Sequence, residues 1–331
     1  MNRAVAAIVA GAVVPAACGG NQSMFNPQGP VARSSANLGW FLIALSAAIY
    51  LAVMGALVIA MWRRRREDDQ RPETTRHLAR NVMLASAATV VALVALAVAT
   101  FASDRGLNSP SGPGAITVDV IGHQWWWDFQ YRDVSPQDVV VSPNELHVPV
   151  GVPIVVRASS RDVIHSFWVP NLRPKRDLIP GFITHTWFRA DAPGVYRGQC
   201  AEFCGHQHAR MALQVVAEPM STFLQWIARQ RQPANEPASD TQRRGRDVFM
   251  EGPCVTCHTI RGTDAGSRVG PDLTHVGSRL MLGAGTLPNT RDHLRQWVSN
   301  SQAVKPGNRM PPVQLDDARL DALVTYLRSL R

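Results

Sequence analysis

Twenty-four consecutive residues, Gly39 to Trp62, carry no charge, and a second uncharged run extends from Val82 to Ala102. At about 1.5 Å per helical residue the first run reaches roughly 36 Å, enough to cross the hydrocarbon core of a bilayer. The second is just long enough. A helix apolar on every side has no polar face to offer water, unlike the amphipathic helices of soluble domains. Between the two runs, residues 63–81 hold seven Arg against four acids. Arg-rich loops stay on the cytoplasmic side. The pattern predicts a two-helix transmembrane hairpin over residues 37–103 with both chain termini outside.

The first eighteen residues have the layout of an export signal: one Arg, an apolar stretch, then small residues. Ala16-Ala17-Cys18-Gly19 resembles a bacterial lipoprotein cleavage site, with Pro15 where such sites usually carry Leu. Cys18 is a candidate lipid-bearing N-terminus; the alternative is an ordinary signal with an incidental cysteine.

The net charge of +9 divides unevenly. Residues 115–228 carry nine Lys/Arg and ten Asp/Glu, whereas residues 241–331 carry thirteen and eight. No continuous basic patch is interleaved with aromatics, so the composition argues against nucleic acid as a partner. Beyond a polar Gly/Pro stretch at 103–114, short β-type runs appear: ITVDVIG, DVVVS, ELHVPV, PIVVRAS and VVAE, separated by turn formers. They predict an all-β sandwich or barrel over 115–220. A polar, Pro-containing linker follows at 229–240, and a helical region at 241–331 closes with an amphipathic segment. The aromatic run Trp125-Trp126-Trp127 reads as amphipathic packing at the membrane face.

Two constellations carry chemistry. Cys200, Cys204, His208 and Met211 crowd two thiols, an imidazole and a thioether into one loop. That donor mixture selects copper. Zinc and a redox disulfide are the competing uses; zinc sites rarely recruit Met, and a disulfide leaves the His and Met spacing unexplained. His206 competes with His208, and spacing to Met211 favours His208. His123, His147 and His185 read as ordinary histidines. The second constellation, Cys254-Val-Thr-Cys257-His258, is the c-type haem attachment pattern, with Cys254 and Cys257 as thioether anchors and His258 as an iron ligand. With Cys18 set aside, no cysteine remains for a structural disulfide.

Around the first constellation the chain resembles subunit II of the haem–copper oxidases. The motifs are Gly122-His-Gln-Trp125-Trp-Trp127, Asp162-Val-Ile-His165-Ser-Phe-Trp168-Val-Pro170, Lys175-Arg-Asp177-Leu-Ile-Pro180-Gly181 and the Cys200–Met211 loop. The resemblance implies a cupredoxin-like Greek-key domain with a binuclear copper (CuA) centre. In it Cys200 and Cys204 bridge two coppers, His165 and His208 each bind one, Met211 is a weak axial ligand and Glu202 contributes its backbone carbonyl. It further implies that the Glu202 carboxylate binds a magnesium shared with subunit I, and that electrons enter at Trp125. Residues 241–331 resemble a class I cytochrome c, through Gly245-Arg-Asp-Val-Phe249, Gly270-Pro271-Asp272-Leu273 and Lys305-Pro-Gly-Asn-Arg-Met310-Pro-Pro. That resemblance makes Met310 the sixth ligand of a haem c and the domain all-α. Arg261, Arg268, Lys305 and Arg309 are a candidate docking face for an acidic donor; the alternative, and the more usual case, is scattered surface charge.

The implied whole is a multidomain subunit II of a respiratory cytochrome c oxidase with a fused cytochrome c domain, passing electrons to the dioxygen-reducing subunit I. Its implied place is the bacterial inner membrane, multi-pass, with copper and haem domains periplasmic. The implied partners are subunits I and III and a cytochrome c or other redox donor. A CuA-containing nitric oxide reductase is the alternative assembly. A stand-alone copper/haem carrier fits the two spans poorly, and a quinol oxidase lacks the copper ligands retained here. One departure from the family stands out. The start of the second apolar run, Arg80 to Thr89, lacks the Glu that many oxidases place at a proton-channel mouth.

Overall fold

The computed structural model describes residues 20–64, 74–105, 114–132 and 139–331. Cys18 and the signal-like segment lie outside the described residues, as do residues 65–73 of the Arg-rich loop. The chain divides into two units, residues 33–109 and the remainder.

The smaller unit holds two long helices, α1 (Pro30–Arg64) and α2 (Thr74–Arg105). Leu51, Val58, Val91 and Val98 stand exposed along them. Neither helix buries the apolar stretch that would make it a soluble core helix. Both run past the uncharged stretches at each end. Once a helix is nucleated, each added residue gains a hydrogen bond for little further ordering, so polar flanks continue it.

Among the described residues of the larger unit, ten strands form two five-stranded sheets. The strands are β1 (Ile116–His123), β2 (Trp126–Tyr131), β3 (Val140–Pro143), β4 (Glu145–Pro149), β5 (Ile154–Ser160), β6 (His165–Val169), β7 (Arg173–Leu178), β8 (Thr184–Phe188), β9 (Gly194–Cys200) and β10 (Ala212–Glu218). One sheet has the order β3-β2-β1-β5-β8, the other β4-β10-β9-β6-β7. The parallel pairs β1/β5 and β4/β10 mark the crossovers.

Burial along β2 alternates strictly: Trp127, Phe129 and Tyr131 point inward, with Trp126, Asp128 and Gln130 between them. Trp127 is therefore a core residue of the sandwich and not a membrane-face aromatic. The period of two turns the polar neighbours outward and the large rings inward, whatever the run looks like locally. Helix α3 (Met220–Gln230) closes one side by burying Phe223, Trp226 and Ile227. Residues 20–32 are stitched to the same domain through Asn171. Its side-chain amide donates to the Asn26 carbonyl at 2.9 Å, and its backbone carbonyl accepts from Gln28 N at 2.7 Å.

The C-terminal region is helical, with α4 (Asp240–Glu251), α5 (Arg291–Ser299), the short α6 (Ser301–Val304) and α7 (Asp317–Ser329). Side chains of Ser239, Thr290 and Asp316 cap α4, α5 and α7 by accepting backbone N–H bonds. Helices α4 and α7 cross where Gly245 meets Ala322; a Cβ at Gly245 would lie 2.0 Å from the Ala322 carbonyl oxygen. The core between them includes Phe249, Leu320, Leu323, Val324 and Tyr326.

Candidate metal centres

Each donor of the copper constellation sits at the end of an element, where a strand hands a fixed direction to a loop. Cys200 ends β9, His165 begins β6, His208 opens a single helical turn, and Met211 immediately precedes β10. The Cys200 and Cys204 sulfurs are 3.8 Å apart. That is far beyond the roughly 2 Å of a disulfide. His165 Nδ1 lies 3.9 Å from Cys200 Sγ, and His208 Nδ1 lies 3.7 Å from Cys204 Sγ. Met211 Sδ is 3.9 Å from Cys204 Sγ, and the Glu202 carbonyl oxygen is 3.3 Å from Cys200 Sγ. His206 is exposed and belongs to the neighbouring surface. The cysteines, His165 and Met211 are buried.

The electrostatics fit a cation between these donors. The Cys204 thiol, together with His165, lowers the pKa of Cys200; the hydrogen bond to Cys200, then burial, then the Cys200 charge push Cys204 upward. Left alone, the pair keeps one proton, because two thiolates at this distance repel. Positive charge in the pocket removes that obstacle. The His165 ring is oriented from behind. Its Nε2 lies 2.8 Å from the Asp162 carboxylate, which leaves Nδ1 facing the sulfur. Burial alone lowers the His165 pKa; the bonds to Asp162 and Cys200 outweigh it, and the net shift is upward. Gly122 makes room for the ring, since a Cβ there would approach His165 Cδ2 to 2.7 Å.

Glu202 divides its roles. Its carbonyl faces the sulfurs, while its half-exposed carboxylate turns away and lies 3.6 Å from Lys175 Nζ. Trp125 touches the copper loop directly: its indole N–H donates to the Cys204 carbonyl at 2.9 Å, and the Gln124 amide donates to the same oxygen at 2.8 Å. Gly205, at φ +107°, lets that indole approach closely.

The haem constellation occupies the turn after α4. Cys254 and Cys257 are half-buried free thiols, and the His258 N–H donates to the Cys254 carbonyl at 3.0 Å. The His258 ring donates from Nδ1 to the Pro271 carbonyl at 2.7 Å. Burial lowers its pKa, so it is a neutral imidazole with Nε2 as its lone-pair nitrogen. This is the state an iron ligand needs. Gly270 passes the ring edge; a Cβ there would lie 2.7 Å from His258 Cε1. The Met310 backbone is fixed on both sides, its carbonyl accepting from Ser301 Oγ at 2.6 Å and its N–H donating to Asn308 Oδ1 at 2.8 Å.

The family model for the periplasmic domain of cytochrome c oxidase subunit II matches residues 116–218, and the cytochrome c model matches 242–331. Over 320 residues the chain is 32% identical to cytochrome c oxidase subunit 2 of Alkalihalophilus pseudofirmus, covering 94% of this chain and 91% of that one. The chain belongs to the cytochrome c oxidase subunit II family. A second subunit 2, from Bacillus sp. strain PS3, is 28% identical over 287 residues, covering 81% of this chain and 79% of that one. The crystal structure of the subunit II periplasmic domain from Bradyrhizobium japonicum aligns at 30% identity over 36% of this chain and 93% of that one, with a TM-score of 0.33.

Several residues that pack on the candidate ligands escaped the sequence reading. Asp162, Gly122 and Gly270 all stand inside motifs that marked the family, yet their roles against the two histidines need coordinates. His147 lies apart from both constellations and joins a buried cluster of its own. Its two ring nitrogens lie 3.0 Å from Glu145 and 3.0 Å from Glu218, and its ring stacks on Trp226. Of the four cations offered as a donor-docking face, Lys305 is buried and so is no part of an exposed face, while the exposed Arg309 bonds Gln124 and the half-buried Arg261 bonds the Gln230 carbonyl.

Proposed function

We propose that this subunit II is the electron-input subunit of a respiratory cytochrome c oxidase. It would take electrons from a cytochrome c or similar donor and pass them to a dioxygen-reducing subunit I, with subunit III as a further partner. The observation that carries the reading is the convergence of two buried thiols, two Nδ1 atoms, a thioether and a carbonyl, with Trp125 hydrogen-bonded to the Cys204 carbonyl.

Cys200, Cys204, His165, His208, Met211 and the Glu202 carbonyl would hold a binuclear copper; Cys254, Cys257, His258 and Met310 would hold a haem c. When bound, these groups supply one-electron redox chemistry. The protein's part is to keep the donors still. Asp162 holds the His165 ring, the Pro271 carbonyl holds the His258 ring, and strands β6, β9 and β10 hold the copper loop. The Glu202 carboxylate, with Lys175 as its partner in the lone chain, is the proposed magnesium ligand at the subunit I contact. Cys200→Ser in the full-length oxidase should abolish the mixed-valence copper signal in electron paramagnetic resonance while covalent haem remains. An unchanged copper signal would sink the assignment.

The proposed location is the bacterial inner membrane, with the β domain and haem domain periplasmic and residues 63–81 cytoplasmic. Protease added to intact spheroplasts should remove both domains together. Protection of the haem domain would reverse the topology.

A further inference from the structure

Lys305 is only 2% exposed, yet no carboxylate among the described residues bonds it. Its ammonium has three donors, and three backbone carbonyls take them: Arg210 at 3.0 Å, Gly283 at 3.0 Å and Trp125 at 3.3 Å. Two of these acceptors belong to the copper domain and one to the haem domain. Burying a lysine is costly unless every donor is satisfied. Burial, followed by repulsion from Arg210, pulls its pKa down to about 7. Such a group persists where its bonds fix an arrangement.

The surrounding contacts follow the same seam. The Arg210 guanidinium bonds the Val304 carbonyl, the Gln207 amide bonds the Pro306 carbonyl, and Arg309 bonds the Gln124 side chain. A Cβ at Gly307 would lie 3.6 Å from the Cβ of His206. Residues 304–309 thus lie along the copper loop and the Gln124–Trp125 corner, and the next residue is Met310. Elsewhere along the interface the Ala212 N–H donates to the Ala284 carbonyl at 3.0 Å, and the Leu280 N–H donates to the Glu145 carboxylate at 2.8 Å.

We propose that Lys305 is the positioning residue that seats the haem-bearing domain on the Gln124–Trp125 corner of the copper domain. The chain's own Met310 loop then covers the face where a diffusing redox protein would reach Trp125. The inference rests on the reading of the two centres given above. It assigns to an internal contact the cations that the sequence offered to an external donor, and it leaves the haem domain as the surface an outside donor must approach.

The test uses Lys305→Met in the full-length chain within the purified oxidase, with Arg309→Ala as a second, exposed variant. Hydrogen–deuterium exchange of peptides covering 301–309 and 123–127 reads docking without reference to either centre. Both peptides should exchange at least about tenfold faster in Lys305→Met, the ratio expected from losing about 1.4 kcal/mol of a charge-assisted bond set. Arg309→Ala should accelerate them by a smaller factor. Stopped-flow reduction by an external cytochrome c supplies the second readout. The one-electron reduction of ferric haem should keep its wild-type rate, and the following transfer from ferrous haem to oxidised copper should slow about tenfold. General loosening of the fold would also move the haem potential, which should stay unchanged. Wild-type exchange in Lys305→Met overturns the proposal; if that variant does not accumulate, wild-type exchange in Arg309→Ala does. Absence of the copper signal from the unmutated protein would overturn the reading of the centres and leave the exchange result standing.

Discussion

Gly122→Ala should weaken copper binding without touching the haem. The new methyl would stand 2.7 Å from His165 Cδ2, 3.0 Å from Cγ and 3.2 Å from Cβ. Carbon atoms prefer about 3.5–4.0 Å, so the ring must retreat by about 0.8 Å or the strand must yield. The strand is held on both sides: Gly122 pairs with Trp127 of β2 and with Ser160 of β5. The ring is held as well, by Asp162 at 2.8 Å, while its Nδ1 faces Cys200 at 3.9 Å. Overpacking of this kind costs about 1–3 kcal/mol. Taken up wholly at the ligand, that is roughly a tenfold to hundredfold loss of metal affinity, the range seen when groups supporting a metal ligand are removed. Copper content after equilibration with a competing chelator, together with the paramagnetic resonance spectrum, measures it. The haem absorbance of the same sample serves as the internal control. Full copper retention with an unshifted spectrum would show that the His165 ring does not depend on the space above Gly122.

Gly245→Ala should destabilise the haem domain by about 3 kcal/mol, because the clash at 2.0 Å is with the Ala322 backbone and no rotamer relieves it. Read by haem absorbance on heating, that is a fall of at least about 12 °C for a domain of this size; a shift under about 4 °C would contradict the helix crossing. The Glu145–His147–Glu218 cluster should make stability depend on pH. Burial lowers the His147 pKa, but its bonds to Glu145 and Glu218 outweigh this and raise it above the ordinary 6.5. The stabilisation is complete below that value and is lost as pH rises through the raised one. Urea unfolding followed by tryptophan emission should therefore weaken toward alkaline pH, and Glu218→Gln should flatten the slope; equal slopes would remove His147 as the cause.

The sequence alone determined the identity of the parts. Charge-free runs of membrane length, a C-x-x-C-H pentapeptide and a loop of soft donors each follow from local spacing, and local spacing is legible in one dimension. Strands rich in β-branched residues, β1 and β5, were legible for the same reason. In β5 the inward residues are Ile154, Val156 and Ala158, and in β1 they include Val118 and Val120. Strands β2, β6, β7, β8 and β9 were harder to read. Several of their side chains belong to a candidate centre or a core as well as a pleat: β2 begins within the run of three tryptophans, β6 begins at His165, and β9 ends in Cys200.

Only the tertiary structure decided how the parts face one another. His165 lies 35 residues before Cys200 in the chain, and folding brings its Nδ1 to 3.9 Å from that sulfur. Asp162 and Gly122 acquire their roles only once that ring has a direction. Lys305 is the sharpest case. As a lone cation in a polar loop it reads as surface charge for a partner, because sequence carries no information on which carbonyls a fold will turn toward it. The structure turns three, from Trp125, Arg210 and Gly283, drawn from segments up to 180 positions away. The residue type that signals solvent in one dimension is thereby buried as the joint between the two redox domains.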